Sequence, residues 1–138
     1  MELMRDSSDS TGMTLTLALS YGAKDEITRA CQALAVAVAR GELKPESITA
    51  DLISNRLDTA GMPDPDLLIR TSGEMRLSNF MLWQLAYAEL YVTDTHWPDF
   101  DELALCNAIA AYQKRTRRFG QTQEQVVSAQ SGAQPVRR

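Results

Sequence analysis

Histidine occurs once in this chain of 138 residues, and cysteine twice. His96, followed by Trp97-Pro98, reads as a loop or packing histidine in preference to a general base. Cys31 and Cys106 stand far apart and match no metal or redox spacing, so two buried, reduced thiols are expected. No Ser-His-Asp, Cys-His or metal-finger arrangement is present, and the glycines form no phosphate loop. Positive charge is in deficit, with 14 Lys and Arg against 18 Asp and Glu. At a net −4, the surface as a whole attracts neither nucleic acid nor an anionic membrane, although a local basic cluster can still bind an anion. Residues 1–10 are polar and lack the apolar core of a signal peptide. No apolar run approaches the ~20 residues of a membrane span. The expectation is a cytoplasmic chain without a transmembrane segment.

What remains is ordinary globular material, 44% hydrophobic and 23% charged, long enough for one domain with a core. A polar segment at 1–12 precedes a folded region at 13–120. From residue 121 to 138 Gln, Ser and Gly dominate, the composition of a disordered tail. Alternation over 14–20 predicts a strand. Ile27, Ala30, Cys31, Leu34 and Val38 recur at helical spacing, predicting a helix over 24–40 with Asp25 and Glu26 in its first turn and Gly41 as its stop. A short helix is expected from Thr49, with Leu52, Ile53 and Leu57 inward, and a loop over 61–66. The unalternating run 67–69 suits a strand buried on both faces of a parallel sheet. Ser78 is a good N-cap for a helix reaching 86 or 87, and 90–92 reads as a short strand. A last helix follows, with Asp99 as cap, Glu102 as its capping-box partner, and Phe100, Leu103, Ala104, Ala108, Ala111 and Tyr112 on its apolar face. Lys114, Arg115, Arg117 and Arg118 crowd its end, fitting dipole capping as readily as ligand binding. Strands alternating with helices imply an α/β layer architecture.

Chemistry concentrates between Asp66 and Phe80. Arg70 closes the 67–69 strand, and ligands in open parallel sheets bind beyond the carboxyl ends of the strands. Arg76 follows across the 71–75 turn, and Ser78 opens the next expected helix. Two planar guanidinium forks and the unpaired N–H groups near Leu77 and Ser78 would surround a volume suited to a phosphate or diphosphate. Equally, Arg70 could pair with Glu74 or Asp66 and only close the loop. Glu89, between Ala88 and Leu90, lies in an apolar setting where a carboxylate is either ion-paired or binds a metal such as Mg²⁺ together with substrate phosphates.

At these residues the sequence resembles the cis-prenyltransferases, the undecaprenyl (di-trans,poly-cis) diphosphate synthase family. Asp66-Leu67-Leu68-Ile69-Arg70-Thr71-Ser72-Gly73-Glu74 carries the resemblance, followed by the run from Arg76-Leu77-Ser78-Asn79-Phe80 to Glu89-Leu90-Tyr91, and then Trp97-Pro98-Asp99-Phe100. Residues 17–27 resemble the family's strand-turn-helix with departures: Ser20 stands where Asn is usual, Ala23 where Gly is usual and Lys24 where Arg is usual. The match runs from about 11 to 120. It implies the C-terminal half of the cis-prenyltransferase fold, a partial parallel sheet flanked by helices. It also implies an enzyme that condenses isopentenyl diphosphate onto an allylic diphosphate such as farnesyl diphosphate, with cis geometry, giving a membrane-directed polyprenyl diphosphate. Arg70, Arg76, Leu77 and Ser78 match the residues that hold the isopentenyl diphosphate, Glu89 matches the acidic residue of the Mg²⁺ site, and Arg118 and Gly120 match a motif near the dimer interface that helps the neighbouring site. Met75 falls at a variable position and takes no role. The family's His-x-Met-Asp-Gly-Asn-x-Arg segment, with the catalytic aspartate, has no counterpart here. The resemblance therefore implies a chain inactive alone, completed by an N-terminal half or present as a homodimer. The alternatives are a non-catalytic dimerising or complementing subunit and an independent anion-binding domain. An uncovered strand edge and apolar face lead us to expect association or poor solubility.

Overall fold

The computed structural model describes residues 9–115, and the structural statements below concern those residues. The expected tail at 121–138, together with Arg118 and Gly120, lies outside them.

Helix α1, Ala23–Ala39, forms where apolar spacing predicts it. The face it encloses is Ala23, Glu26, Ala30, Leu34 and Ala37. Ile27 and Val38 lie at its margins, and Cys31 is exposed. Cys106 is exposed as well, so the expectation of buried thiols fails at both positions. In each case the cysteine lies beside, not on, the enclosed stripe of its helix. The helix ends in a Schellman arrangement: Gly41, at φ +72°, donates to the Val38 carbonyl at 2.9 Å, and Glu42 donates to that of Ala37 at 3.0 Å. Helix α2, Ala50–Ser54, follows a 3₁₀ turn at Pro45–Ser47. The Thr49 hydroxyl caps it by accepting from the Leu52 N–H at 3.2 Å, and Leu57 beyond it is buried.

Strand β1, Leu67–Arg70, pairs in parallel with β2, Glu89–Val92, placing Leu67 opposite Glu89 and Arg70 opposite Val92. Every β1 residue is half-buried, so this strand is not enclosed on both faces as expected. Helix α3, Glu102–Gln113, packs against β2 and completes an α/β arrangement. It starts later than its sequence suggests. Pro98 supports a 3₁₀ turn at Trp97–Asp99, which takes Asp99 out of the capping position. Asp101 caps instead, its carboxylate accepting from the Ala104 N–H at 2.9 Å, and Glu102 becomes the first helical residue. Ala108 is fully enclosed, but Leu103 is turned out to solvent. Lys114 and Arg115 follow the helix instead of crowding its last turn.

Two expected elements do not form. Residues 14–19 have no strand pairing among the described residues, so they make no strand, and Leu15, Leu17 and Leu19 stand 75%, 70% and 83% exposed. The second is the helix from Ser78, whose place is taken by a chain of turns joining β1 to β2. Ser78, Asn79 and Met81 have φ of 51°, 61° and 45°, the left-handed region that a helix start cannot use. The cause is tertiary. Asn79 is drawn to the start of α1, where its backbone carbonyl accepts from the Ala23 N–H at 2.8 Å and its side-chain Oδ1 from the Lys24 N–H at 2.9 Å. Gly22, the residue before α1, has no side chain with which to cap it, and a Cβ there would stand 3.0 Å from the Asn79 Nδ2.

Candidate anion-binding site

Position begins with backbone. The turn after β1 is fastened to the segment after β2: Thr93 donates to the Arg70 carbonyl at 2.9 Å, Gly73 to that of Thr93 at 2.9 Å, and Ser72 to that of Thr95 at 3.0 Å. Ser72 and Gly73 turn through left-handed φ of 64° and 67°, and a Cβ on Gly73 would meet the Asp94 carboxylate at 2.8 Å. This turn returns the chain so that Arg70, Glu74 and Arg76 meet beyond the carboxyl end of β1.

Their meeting has a definite form. Arg70 Nη2 donates to Glu74 Oε2, and Arg76 Nη2 donates to Glu74 Oε1. One carboxylate is thus held between two guanidinium groups, each taking one oxygen. The hydrogen bond from Arg70, assisted by the nearby charge of Arg76, holds the Glu74 carboxyl below the usual carboxylate range. Arg70 also keeps its Nε out of water with no hydrogen-bond partner. A cavity of about 210 Å³ opens here, lined by Leu68, Ile69, Arg70, Arg76, Leu77 and Phe80.

Of the expected site residues, Arg70, Arg76 and Leu77 therefore come together. Ser78 is exposed at a left-handed turn, and with no helix beginning there, helix N-terminal donors do not contribute to this volume. Glu89 lies at the opposite end of the sheet, opposite Leu67, where its carboxylate accepts from Arg115 Nη1 at 2.7 Å. Three residues of strand separate it from the level of Arg70, roughly 10 Å. No group of three His, Cys, Asp or Glu side chains able to hold a metal occurs among the described residues. With its one carboxylate taken by Arg115, Glu89 does not by itself fit a magnesium site. His96 is an exposed loop residue.

A second polar cluster escaped the sequence reading. Glu26 is 1% exposed and accepts from the Tyr21 hydroxyl at 2.5 Å, the Asp58 N–H at 2.8 Å and the Gln84 amide at 3.2 Å. Gln84, itself buried, also donates to the Thr59 hydroxyl at 3.0 Å. Burial, reinforced by the bond to Glu26, pushes the Tyr21 phenol up to about 12. The signal available was position: Glu26 lies three residues after Ala23 and four before Ala30, on the enclosed stripe. Tyr21 meets Phe80 edge-on at 5.6 Å, and beside them lies a larger open pocket of about 440 Å³ between the 16–22 segment and the start of α1.

The family profile for undecaprenyl diphosphate synthases, a family of prenyltransferases, matches residues 1–120. The chain is 54% identical over 123 residues to the isoprenyl transferase of Porphyromonas gingivalis, covering 89% of this chain and 48% of that protein. It is 52% identical over 120 residues to the ditrans,polycis-undecaprenyl-diphosphate synthase ((2E,6E)-farnesyl-diphosphate specific) of Aliivibrio fischeri, covering 87% of this chain and 47% of that protein. Among solved structures it is similar to lavandulyl diphosphate synthase from Lavandula x intermedia, in complex with dimethylallyl diphosphate, with a TM-score of 0.79, 40% identity, and coverage of 88% of this chain and 56% of that one. The chain spans about half the length of the curated relatives it matches.

Proposed function

The chain belongs to the undecaprenyl diphosphate synthase family of prenyltransferases, and from that membership we propose that it supplies the isopentenyl diphosphate site of a cis-prenyltransferase. The observation that carries this reading is the convergence of Arg70 and Arg76 on the single carboxylate of Glu74. Two guanidinium forks that can share one anion can grip the paired oxygens of a diphosphate, at about 1.5–3 kcal/mol per charge-assisted contact. Leu77 lines the same cavity, and the hydroxyl of Ser78, next in the chain, would have to turn toward it to add a donor.

In the reaction proposed, the alkene of isopentenyl diphosphate attacks the allylic carbon of a second substrate, such as farnesyl diphosphate. That substrate's diphosphate leaves, and a proton is lost to give the new double bond with cis geometry. This chain's contribution is to hold the acceptor by its diphosphate, leaving the apolar tail free to reach the reacting carbon. Magnesium chemistry would require Glu89 to share the ion with carboxylates from beyond the described residues, and no step is assigned to the metal. The His-x-Met-Asp-Gly-Asn-x-Arg motif has no match within these 138 residues, so the groups that hold the allylic diphosphate would come from sequence outside them. The exposed Leu15, Leu17 and Leu19 favour such a partner as well. Arg118 and Gly120 would serve a neighbouring active site in a homodimer.

The test is complementation. Mixed with a separately produced N-terminal half of a relative, the chain should support incorporation of labelled isopentenyl diphosphate, and neither half should do so alone. Enhancement only with a full-length synthase would favour the non-catalytic subunit instead. No effect in either mixture would contradict both readings.

A further inference from the structure

We propose that Glu74 is a built-in competitor that sets the affinity of this site: its carboxylate occupies the place between Arg70 and Arg76 that an entering diphosphate must take, and the ligand binds by displacing it. This inference rests on the reading of the two arginines as the diphosphate site.

The two bonds that Glu74 accepts are divided between its oxygens, Oε2 toward Arg70 and Oε1 toward Arg76. A diphosphate presenting one oxygen to each fork would use the same two donors, so carboxylate and ligand cannot both have them. The fastened turn keeps Glu74 beside the arginines, making it a competitor at high local concentration. It is not locked in place, since its side chain is 34% exposed and that of Arg76 is 68% exposed. Arg70 Nε, enclosed and unpartnered, is a donor that the carboxylate leaves unused. An anion with more acceptor oxygens than a carboxylate can take that donor too, which favours di- and polyphosphates over small monoanions.

Displacement raises the dissociation constant of every ligand by the same factor. Weak anions then fall out of the useful range, while a diphosphate remains bound. Glu74 would thus set how tightly an anion must bind to be held, while the unused Arg70 Nε sets the preference for anions with more oxygens.

The experiment is calorimetric titration of the full chain at fixed ionic strength with inorganic diphosphate and inorganic phosphate, comparing wild type with Glu74→Gln. Both anions should bind the variant more tightly, by a common factor of about five or more. Unchanged or weaker binding of diphosphate by a folded Glu74→Gln overturns the proposal. If that variant does not fold, the wild type decides by NMR. Diphosphate should shift the Glu74 side-chain carboxyl carbon together with the Arg70 and Arg76 guanidinium signals, and movement of the arginines without Glu74 overturns it. Arg70→Ala separates the two levels: unchanged diphosphate affinity there removes the site itself, whereas loss there with no gain in Glu74→Gln removes only the competitor.

Discussion

Asn79 caps a helix from 55 residues away in sequence: its Oδ1 accepts from the backbone N–H of Lys24, the second helical residue, at 2.9 Å. Its own carbonyl takes the neighbouring N–H of Ala23. Two donors that a helix start leaves unpaired are thereby satisfied from another part of the chain. Asn79→Ala removes the side-chain half of this arrangement and should destabilise the fold by about 1 kcal/mol. Asn79→Asp should retain most of the stability. Urea unfolding followed by circular dichroism reads both. Equal stability in the alanine variant would contradict a capping role.

That contact also explains where sequence reading succeeds and where it stops. Helices α1 and α2 are legible because their signals are local: apolar spacing, the Thr49 cap and the Gly41 stop all lie within the elements they define. Both strands are legible from short apolar runs, and the meeting of Arg70 and Arg76 from their places around a turn. Ser78-Asn79 carries local helix-start chemistry, but α1 claims Asn79 from far away, and no local pattern records that claim. The 14–19 segment has a strand's alternation, yet a strand exists only with a partner to pair with. Asp99 and Asp101 offer the same cap chemistry two residues apart, and Pro98 decides between them through the turn it supports.

Glu26 anchors the polar core. Glu26→Ala would leave the Asp58 N–H and the Tyr21 hydroxyl without their acceptor, and the Gln84 amide with Thr59 alone. Each orphaned group costs about 1–3 kcal/mol, so a loss of roughly 2 kcal/mol or more is expected in denaturant unfolding. A loss below about 1 kcal/mol would show that the cluster is replaceable by water.

Tyr21 gives a signature at alkaline pH. Its phenol is raised from 10.0 to about 12 in the folded chain, chiefly by burial and then by the bond to Glu26. A raised value favours the protonated form on folding, so the contribution is complete below pH 10 and is lost as pH rises through about 12. One of the four tyrosines should therefore ionise late in an ultraviolet titration. Tyr21→Phe should remove that late step and flatten the fall in stability over the same interval. Four tyrosines titrating together would contradict the placement of this ring.

Arg115 and Glu89 form a part-exposed pair, with side chains 40% and 29% exposed, and Arg115 also donates to the Leu90 carbonyl at 3.0 Å. Arg115→Ala should cost about 1 kcal/mol at most, as exposed pairs do. Thermal unfolding at low and high salt measures it, and the difference between the two proteins should shrink as salt rises. A salt-independent loss would mean that the arginine's packing, not its charge, holds the end of β2.

The central claim is that Arg70 and Arg76 form one diphosphate-binding fork beyond the carboxyl end of β1. Titration of isopentenyl diphosphate into the full chain, with Arg70→Ala and Arg76→Ala run in parallel, tests it most directly. Each substitution should weaken binding by about tenfold or more, the scale of one lost charge-assisted contact. Equal affinity in wild type and both variants, all folded, would contradict it.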